Sequence, residues 1–565
     1  MPTPREELIA IQKRLVEELK ESIYDTVGRR DPELDAYYRD YQREFRQGYE
    51  RPSSRNEVVS ALMRANIGYF GDFHSLRAAQ STVLDLLREA TERGRKIVLA
   101  VEMLHAADKH HAQDLLEGAI DPDTFRKRVK WDQSWGFPWS SFQRFFDFSQ
   151  KHNAPLFGVN INADYREGDL VYRDAFAADL VAALTHLYPE RLVAVIYGDL
   201  HLAGNHIPAA VEQRLGSYGA KRRTVRVYQN SETLYWKLVE QHLELVVDHL
   251  KVQRDVYVVM NATPLVKFQS FANWQHHRSE LALEGIAGHD SDLTGETALA
   301  EQVAGFIRTI CTFFGITLED PENFEVFTHA DLDLLENLVK RKVYTVTEMD
   351  ALKSYIRMAD SAFFVRARAL YIGNFSVGNA AEAAARYVLS EMRPAGNDPV
   401  AARDEFYGRV MVEGLAFLCS KIINPRRTPR DAADWVALLQ KFGRRRKLGA
   451  IDKLDVAVAK GFLEHAEYEQ RSLSVGKWQR APLKLFGFPN ELHVALTRAI
   501  GRALGEKLYH AINDGRVGKE LVRAAMEDDV REPDRCRNRY FELLQLAARK
   551  SDRPKTRKKQ PREEE

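Results

Sequence analysis

Cysteine is scarce in this chain. There are three in 565 residues, Cys311, Cys419 and Cys536, far apart and in no Cys-x-x-Cys pair. That argues against a disulfide framework and a thiolate zinc site, and it fits a reducing compartment. Net charge is almost absent too, with 82 Lys and Arg against 81 Asp and Glu. The overall balance therefore gives no reason to expect a nucleic-acid or membrane-surface partner. No segment approaches the ~18 uninterrupted apolar residues of a membrane span. The N-terminus also lacks the apolar core of an export signal. Thr3-Pro4-Arg5-Glu6 is instead spaced as a helix start, with Thr3 as N-cap, Pro4 in the first turn and Glu6 closing a capping box. Ile9, Leu15 and Leu19, set among Lys and Glu, continue it as an amphipathic helix. A cytoplasmic protein is expected.

The composition present, 45% hydrophobic and 29% charged, is that of a soluble globular chain, and its length asks for two or three domains. Residues 1–60 read as a helical preface whose Tyr37, Tyr38, Tyr41 and Tyr49 pack on the next domain. From 61 to 265 the texture is α/β. Short β-rich apolar runs at 67–70, 96–101, 155–159, 192–197, 224–228 and 255–260 alternate with helix-length stretches. Runs apolar on both faces indicate a three-layer domain with a mainly parallel sheet covered by helices. Residues 266–550 lose the strand signal. They are rich in Ala, Leu, Arg and Glu at helical spacing, as in Ala380–Arg386, so an all-α C-terminal domain is expected. Residues 551–565 contain no apolar side chain and are expected to be disordered.

Two short motifs carry chemistry. Gly71-Asp72-Phe73-His74 follows the first strand and Gly198-Asp199-Leu200-His201 the fourth. Each sits at the carboxyl end of its strand, the edge where parallel α/β sheets hold ligands. Gly71 and Gly198 allow the turn and a close backbone approach there. Glu102, ending the second run, is a carboxylate too costly to bury without a cation, a metal or a donor beside it. His74, Glu102 and His201 are therefore the candidate catalytic or metal-ligating set. Two imidazoles and a carboxylate suit a divalent metal, or an acid–base pair without one. Asp72 and Asp199 are the supporting candidates, either orienting an imidazole or capping the next helix.

This arrangement, Gly-x-x-His, a strand-ending Glu and a second Gly-x-x-His, resembles the EreA/ChaN/Tiki/TraB superfamily. Trp131-Asp132-Gln133-Ser134-Trp135-Gly136-Phe137-Pro138-Trp139 and the downstream Phe157-Gly158-Val159-Asn160 are similar to its ChaN-like haem-binding branch. The resemblance covers about 65–230. Its Tiki-like members imply a metal-dependent peptidase using His74, Glu102 and His201. Its EreA-like members imply an esterase using His74 and Glu102. Its ChaN-like members imply a haem ligand and iron uptake. Haem or a divalent metal ion is the implied cofactor. The chain departs from the ChaN pattern in lacking a lipoprotein signal, in its helical C-terminal domain, and in reading Gly-Asp rather than Gly-Glu at the first motif. A haem-binding module, a hydrolase, and a protein partner docked on the helical domain are three competing expectations.

Several other residues are weighed beside the set. The Trp131–Trp139 stretch is either a platform for a flat ligand or core. His105 and His206 are neighbours of the motif residues, and His110-His111 are adjacent and so poor co-ligands. Tyr165 and Tyr172 are conceivable phenolate ligands for haem iron.

Overall fold

The computed structural model describes residues 2–27, 32–161, 169–217, 219, 222–284, 296–328, 332–359, 361–373, 376–393, 400–443, 448–477, 486 and 490–549. Tyr165 and the tail 551–565 lie outside them. The chain divides into two compact units, 15–291 and 1–14 with 292–565.

The first unit is built on one sheet. Its strands are β1 (Arg51–Pro52), β2 (Ile67–Asp72), β3 (Ile97–His105), β4 (Leu156–Asn160), β5 (Leu192–Gly198), β6 (Thr224–Gln229), β7 (His249–Gln253) and β8 (Val256–Val259). Their order is β1-β7-β8-β6-β2-β5-β3-β4. From β8 to β4 every neighbour is parallel, and β7 runs antiparallel against β8. All six apolar runs seen in the sequence are strands of this sheet. β2 and β5 are buried along their whole length, as strands covered on both faces must be. The covering helices that matter for the site are α1 (Pro32–Glu44), α2 (Arg77–Glu92), α3 (Trp139–His152), α4 (Asp169–Leu187) and α5 (Pro264–Glu284). β1 and β7 were not legible in the sequence. They are short and partly exposed, without an apolar run to mark them.

The second unit is mainly helical but holds a small sheet of β9 (Glu325–Phe327), β10 (Ser361–Phe364) and β11 (Ala369–Ile372), in the order β10-β11-β9. The sequence pattern shows only helices here. Strands of three and four residues leave too little alternation to detect against a helical background. Three helices organise this unit: α6 (Val377–Met392), α7 (Ala402–Ile423) and α8 (Asn490–Asn513). α6 and α7 are buried nearly all round, which follows from small or apolar residues on every face of each helix. The capping box forms as expected, with Glu6 N donating to Thr3 Oγ1 at 3.3 Å and Thr3 N to Glu6 Oε2 at 2.7 Å. All three cysteines are buried and free. Among the described residues no helix is long and apolar enough to cross a membrane.

Candidate functional site

β2 and β5 are neighbours in parallel register, with Asp72 opposite Gly198. Both Gly-Asp-x-His motifs therefore leave the sheet at one level, a strand spacing of ~4.8 Å apart. β3 flanks β5 on its other side and carries Glu102 to the same edge. Glu102 does not end its strand. β3 continues to His105, with an irregularity in its pairing to β4 between Val101 and His105. The bulged stretch is where the glutamate turns inward, a common device for re-aiming a functional side chain.

The three candidate residues come together around Gly198. A Cβ placed on that glycine would sit 3.5 Å from His74 Nε2, 3.6 Å from Glu102 Oε2 and 3.5 Å from His201 Cδ2. His74 Nδ1 is held by Asp72 Oδ2 at 2.9 Å, and its Nε2 faces Glu102 Oε2 at 3.6 Å. Glu102 is 4% exposed. Its Oε2 accepts from the Gly198 N–H at 2.7 Å and its Oε1 from Arg173 Nη2 at 2.9 Å. His201 Nδ1 bonds Asp174 Oδ1 at 2.5 Å, and the Tyr37 hydroxyl donates to the other oxygen of Asp174 at 3.0 Å. Each imidazole is anchored by a carboxylate on Nδ1, which fixes the tautomer and presents Nε2.

The two motif aspartates differ in role. Asp72 orients His74 and is itself fixed by Gln80 Nε2 at 2.5 Å. Asp199 does not orient His201, since Asp174 does. Its carboxyl lies against Gly71, where an added Cβ would fall 1.8 Å from Asp199 Oδ1, with Lys267 Nζ 3.6 Å away. Burial pushes the Asp199 pKa up to about 6 in spite of Lys267. Neither aspartate caps a helix through its side chain.

The tryptophan-rich stretch is buried at its two ends and half-buried between them. Trp131 and Trp139 are core, 1% and 4% exposed. Trp135 and Phe137 are half-buried and pack on the His74 ring, with centroids 4.5 and 5.1 Å away. Phe137 stacks face to face on Trp274 at 4.3 Å and meets Trp135 edge-on at 5.4 Å, so an aromatic cluster adjoins the imidazole. His105 faces Asp108 at 3.7 Å, whereas His206 borders the site: it pairs with Asp40 at 3.2 Å under a stacked Tyr37, and its Nδ1 lies 3.8 Å from Asp174, which anchors His201. Tyr172 is 57% exposed.

Arg173 and Asp174 were missed by sequence reasoning. A signal existed, an Arg-Asp pair in the first turns of α4, a helix otherwise rich in Ala, Leu and Val. Nothing in the sequence, however, says which strand edge that helix faces. Tyr37 was expected only to pack.

The charges at the site lock each other. Burial alone would lower the His74 pKa, but Glu102 and Asp72 outweigh it and raise it above 6.5. Burial likewise opposes ionisation of Glu102, yet His74, Arg173, His201 and the Gly198 N–H hold its carboxyl below 4.5. The His74 contribution to stability is therefore full below pH 6.5 and is lost as pH rises through the raised value. That of Glu102 is full above pH 4.5 and is lost as pH falls through the depressed one. An NMR titration of His74 should give a pKa above 6.5, and Glu102→Gln should lower it. An unchanged value in the variant would mean that Glu102 does not set the charge on His74.

Among the described residues, no group of three or more His, Cys, Asp and Glu side chains is placed to hold a metal ion. Arg173 is one physical reason, because its guanidinium occupies Oε1 of the glutamate and brings a positive charge where a dication would need a negative one.

Residues 58–168 match the family model described as haem-binding uptake, Tiki superfamily, ChaN. No curated protein matches the chain. A solved structure of ChaN of Campylobacter jejuni with cofacial haem binding aligns at 12% identity, over 32% of this chain and 88% of its own, with a TM-score of 0.24. A likeness of that size transfers no residue roles. The α/β unit thus contains, over residues 58–168, a ChaN-like domain of the Tiki superfamily, which holds His74 and Glu102 and draws His201, Arg173 and Asp174 from beyond the matched segment.

Proposed function

We propose that the α/β unit binds haem at this sheet edge and that His74 would hold its iron. The observation that carries the proposal is the setting of His74. Its Nδ1 is tied to Asp72, and its ring is packed by Trp135 and Phe137, with Trp274 stacked on Phe137. An imidazole anchored through one nitrogen is the usual form of a metal-binding histidine, and flat half-buried rings suit the face of a macrocycle. The family described as haem-binding supports the same ligand. Bound haem would supply the iron, and the chain would supply the imidazole, the Asp72 carboxylate behind it and the neighbouring aromatic rings.

Because Glu102 keeps a proton on His74, iron and proton compete for Nε2. Haem affinity should fall as pH drops below the raised His74 pKa, by up to about tenfold per unit. The purified chain offered haem should show a Soret band at one haem per chain that weakens with acidification. Absence of any Soret band would overturn the reading.

One observation favours a second reading, acid–base hydrolysis. His74 Nε2 and Glu102 Oε2 face each other at 3.6 Å beside the His201 ring, a base and a carboxylate that could share an attacking water. His74, once neutral, would take a proton from that water as its oxygen attacked an ester carbonyl, and would return the proton to the leaving oxygen. Ester turnover by the haem-free chain, lost in Glu102→Gln, would favour this reading over haem binding.

A further inference from the structure

Helix α1 does more than pack on the sheet. Its residues at 33, 37, 40 and 44 are spaced to share one face, and all four bond to the surroundings of the second motif. Glu33 accepts from the Leu170 and Val171 N–H groups at the start of α4, at 3.4 and 3.2 Å. The Tyr37 hydroxyl donates to Asp174 Oδ2 at 3.0 Å. Asp40 Oδ2 accepts from Asn205 Nδ2 at 2.8 Å, and Glu44 Oε1 accepts from the Gly204 N–H at 2.7 Å and Arg226 Nη1 at 2.9 Å. Tyr41 and Phe45 supply the apolar anchor, both packed edge-on against Tyr228. Three carboxylates and a phenol along a docking face add little net stability, because each gives up water to form its bonds. What they fix is position.

The Tyr37 contact bears on His201. Asp174 is buried, and among the described residues it has two hydrogen bonds, from His201 Nδ1 to Oδ1 and from Tyr37 to Oδ2. A third group stands beside the second oxygen. His206 Nδ1 is 3.8 Å from that Oδ2, and its Nε2 is 3.2 Å from Asp40 Oδ2. Neither is a hydrogen bond. The first is too long, and Nε2 is buried and out of alignment, without a hydrogen-bond partner among the described residues. The Tyr37 ring lies between the two imidazoles, stacked on His206 at 3.9 Å and edge-on to His201 at 5.2 Å. Burial and Asp174 raise the Tyr37 pKa far above its ordinary value, so the hydroxyl keeps its proton and donates. Burial lowers that of His206 against the pull of Asp174 and Asp40, which leaves a neutral ring with one N–H to give. An unsatisfied buried imidazole beside a carboxylate is a competitor for it.

We propose that Tyr37 is a positioning residue for His201: by occupying the second oxygen of Asp174, it keeps that carboxylate on His201 and off His206. Helix α1 is thereby a working part of the site. The inference rests on the sheet edge being that site, under either reading of its chemistry.

The test is proton NMR of the full chain, free of ligand and carrying isotope-labelled histidine. The short bond to Asp174 should place the His201 Nδ1 proton far downfield, identified by its loss in His201→Gln. The His74 Nδ1 proton, on Asp72 at 2.9 Å, is the internal control. In Tyr37→Phe the His201 proton should exchange with solvent about tenfold faster or more, while that of His74 is unchanged. Removing the competitor as well, in a chain carrying both Tyr37→Phe and His206→Phe, should restore the wild-type rate. A hydroxyl with a purely structural role would move both protons together or neither, and the second substitution would rescue nothing. Any of these results would overturn the proposal. If Tyr37→Phe does not fold, His206→Phe alone decides. The His201 proton should then exchange more slowly than in wild type, and an equal or faster rate counts against Tyr37. Haem titration of the same chains tests the reading of the site separately, because the proton is observed without ligand. An absent Soret band beside the expected exchange rates would remove the haem reading and leave the role of Tyr37 standing.

Discussion

A His74→Ala chain is expected to lose its Soret band at haem concentrations that saturate the wild type. Removing a carboxylate behind a metal-binding histidine costs roughly 10–100-fold in affinity, so removing the ligand itself should cost more. Asp72→Asn provides the intermediate case. It keeps the shape of the side chain at Nδ1 while weakening its hold, and should fall within that 10–100-fold range. Tyr172→Phe is the control, since Tyr172 is 57% exposed and belongs to no described part of the site. Measured together by haem titration, the three should rank His74→Ala, then Asp72→Asn, then Tyr172→Phe at wild-type affinity. If Tyr172→Phe loses the band and His74→Ala keeps it, the axial ligand is a phenolate and the reading of His74 fails.

The same variants separate the two readings of the site. Under haem binding, Glu102→Gln should raise haem affinity at mildly acidic pH, because His74 would give up its proton more readily. Under acid–base hydrolysis it should abolish turnover. One substitution thus moves the two activities in opposite directions, and its outcome does not depend on knowing the substrate.

The convergence of His74, Glu102 and His201 was legible because local features encode it: glycine turns and a lone carboxylate at the ends of apolar runs that can only be inner strands. The charge state of the site was not legible. It depends on Arg173 and Asp174, which reach the edge from α4, and on Tyr37 from α1. Those contacts span 27 to 137 residues and follow from how helices cover the sheet, which periodicity does not record. The divalent-metal expectation rested on ligand types alone, and ligand types do not reveal that an arginine sits on the glutamate. Helical spacing likewise made α6 visible, whereas the arginines gathered around Glu382 come from α6, α8 and the segment after α7. No sequence window contains them.

The packing of α7 against α8 is where the largest stability effect should lie, and it also positions the arginine cluster. Three glycines let the two backbones touch. A Cβ on Gly505 would fall 2.4 Å from Gly414 O, and one on Gly501 would fall 2.6 Å from Val410 O. Both obstacles are main-chain atoms within a helix, so relief requires moving a whole helix rather than turning a side chain. Gly505→Ala is therefore expected to destabilise the helical unit by about 3 kcal/mol or more, at or beyond the upper range of overpacked cores. This is despite the roughly 1 kcal/mol that alanine gains over glycine in a helix. Gly305→Ala isolates that gain. Gly305 is helical, with nothing nearer to an added Cβ than Arg308 Nη2 at 4.0 Å, so the same substitution should stabilise by about 0.5–1 kcal/mol. Opposite signs in chemical denaturation would establish backbone contact as the cause. Arg498 and Arg502 ride on α8, and Glu413 on α7. Displacing α8 should therefore also pull the guanidiniums from Glu382.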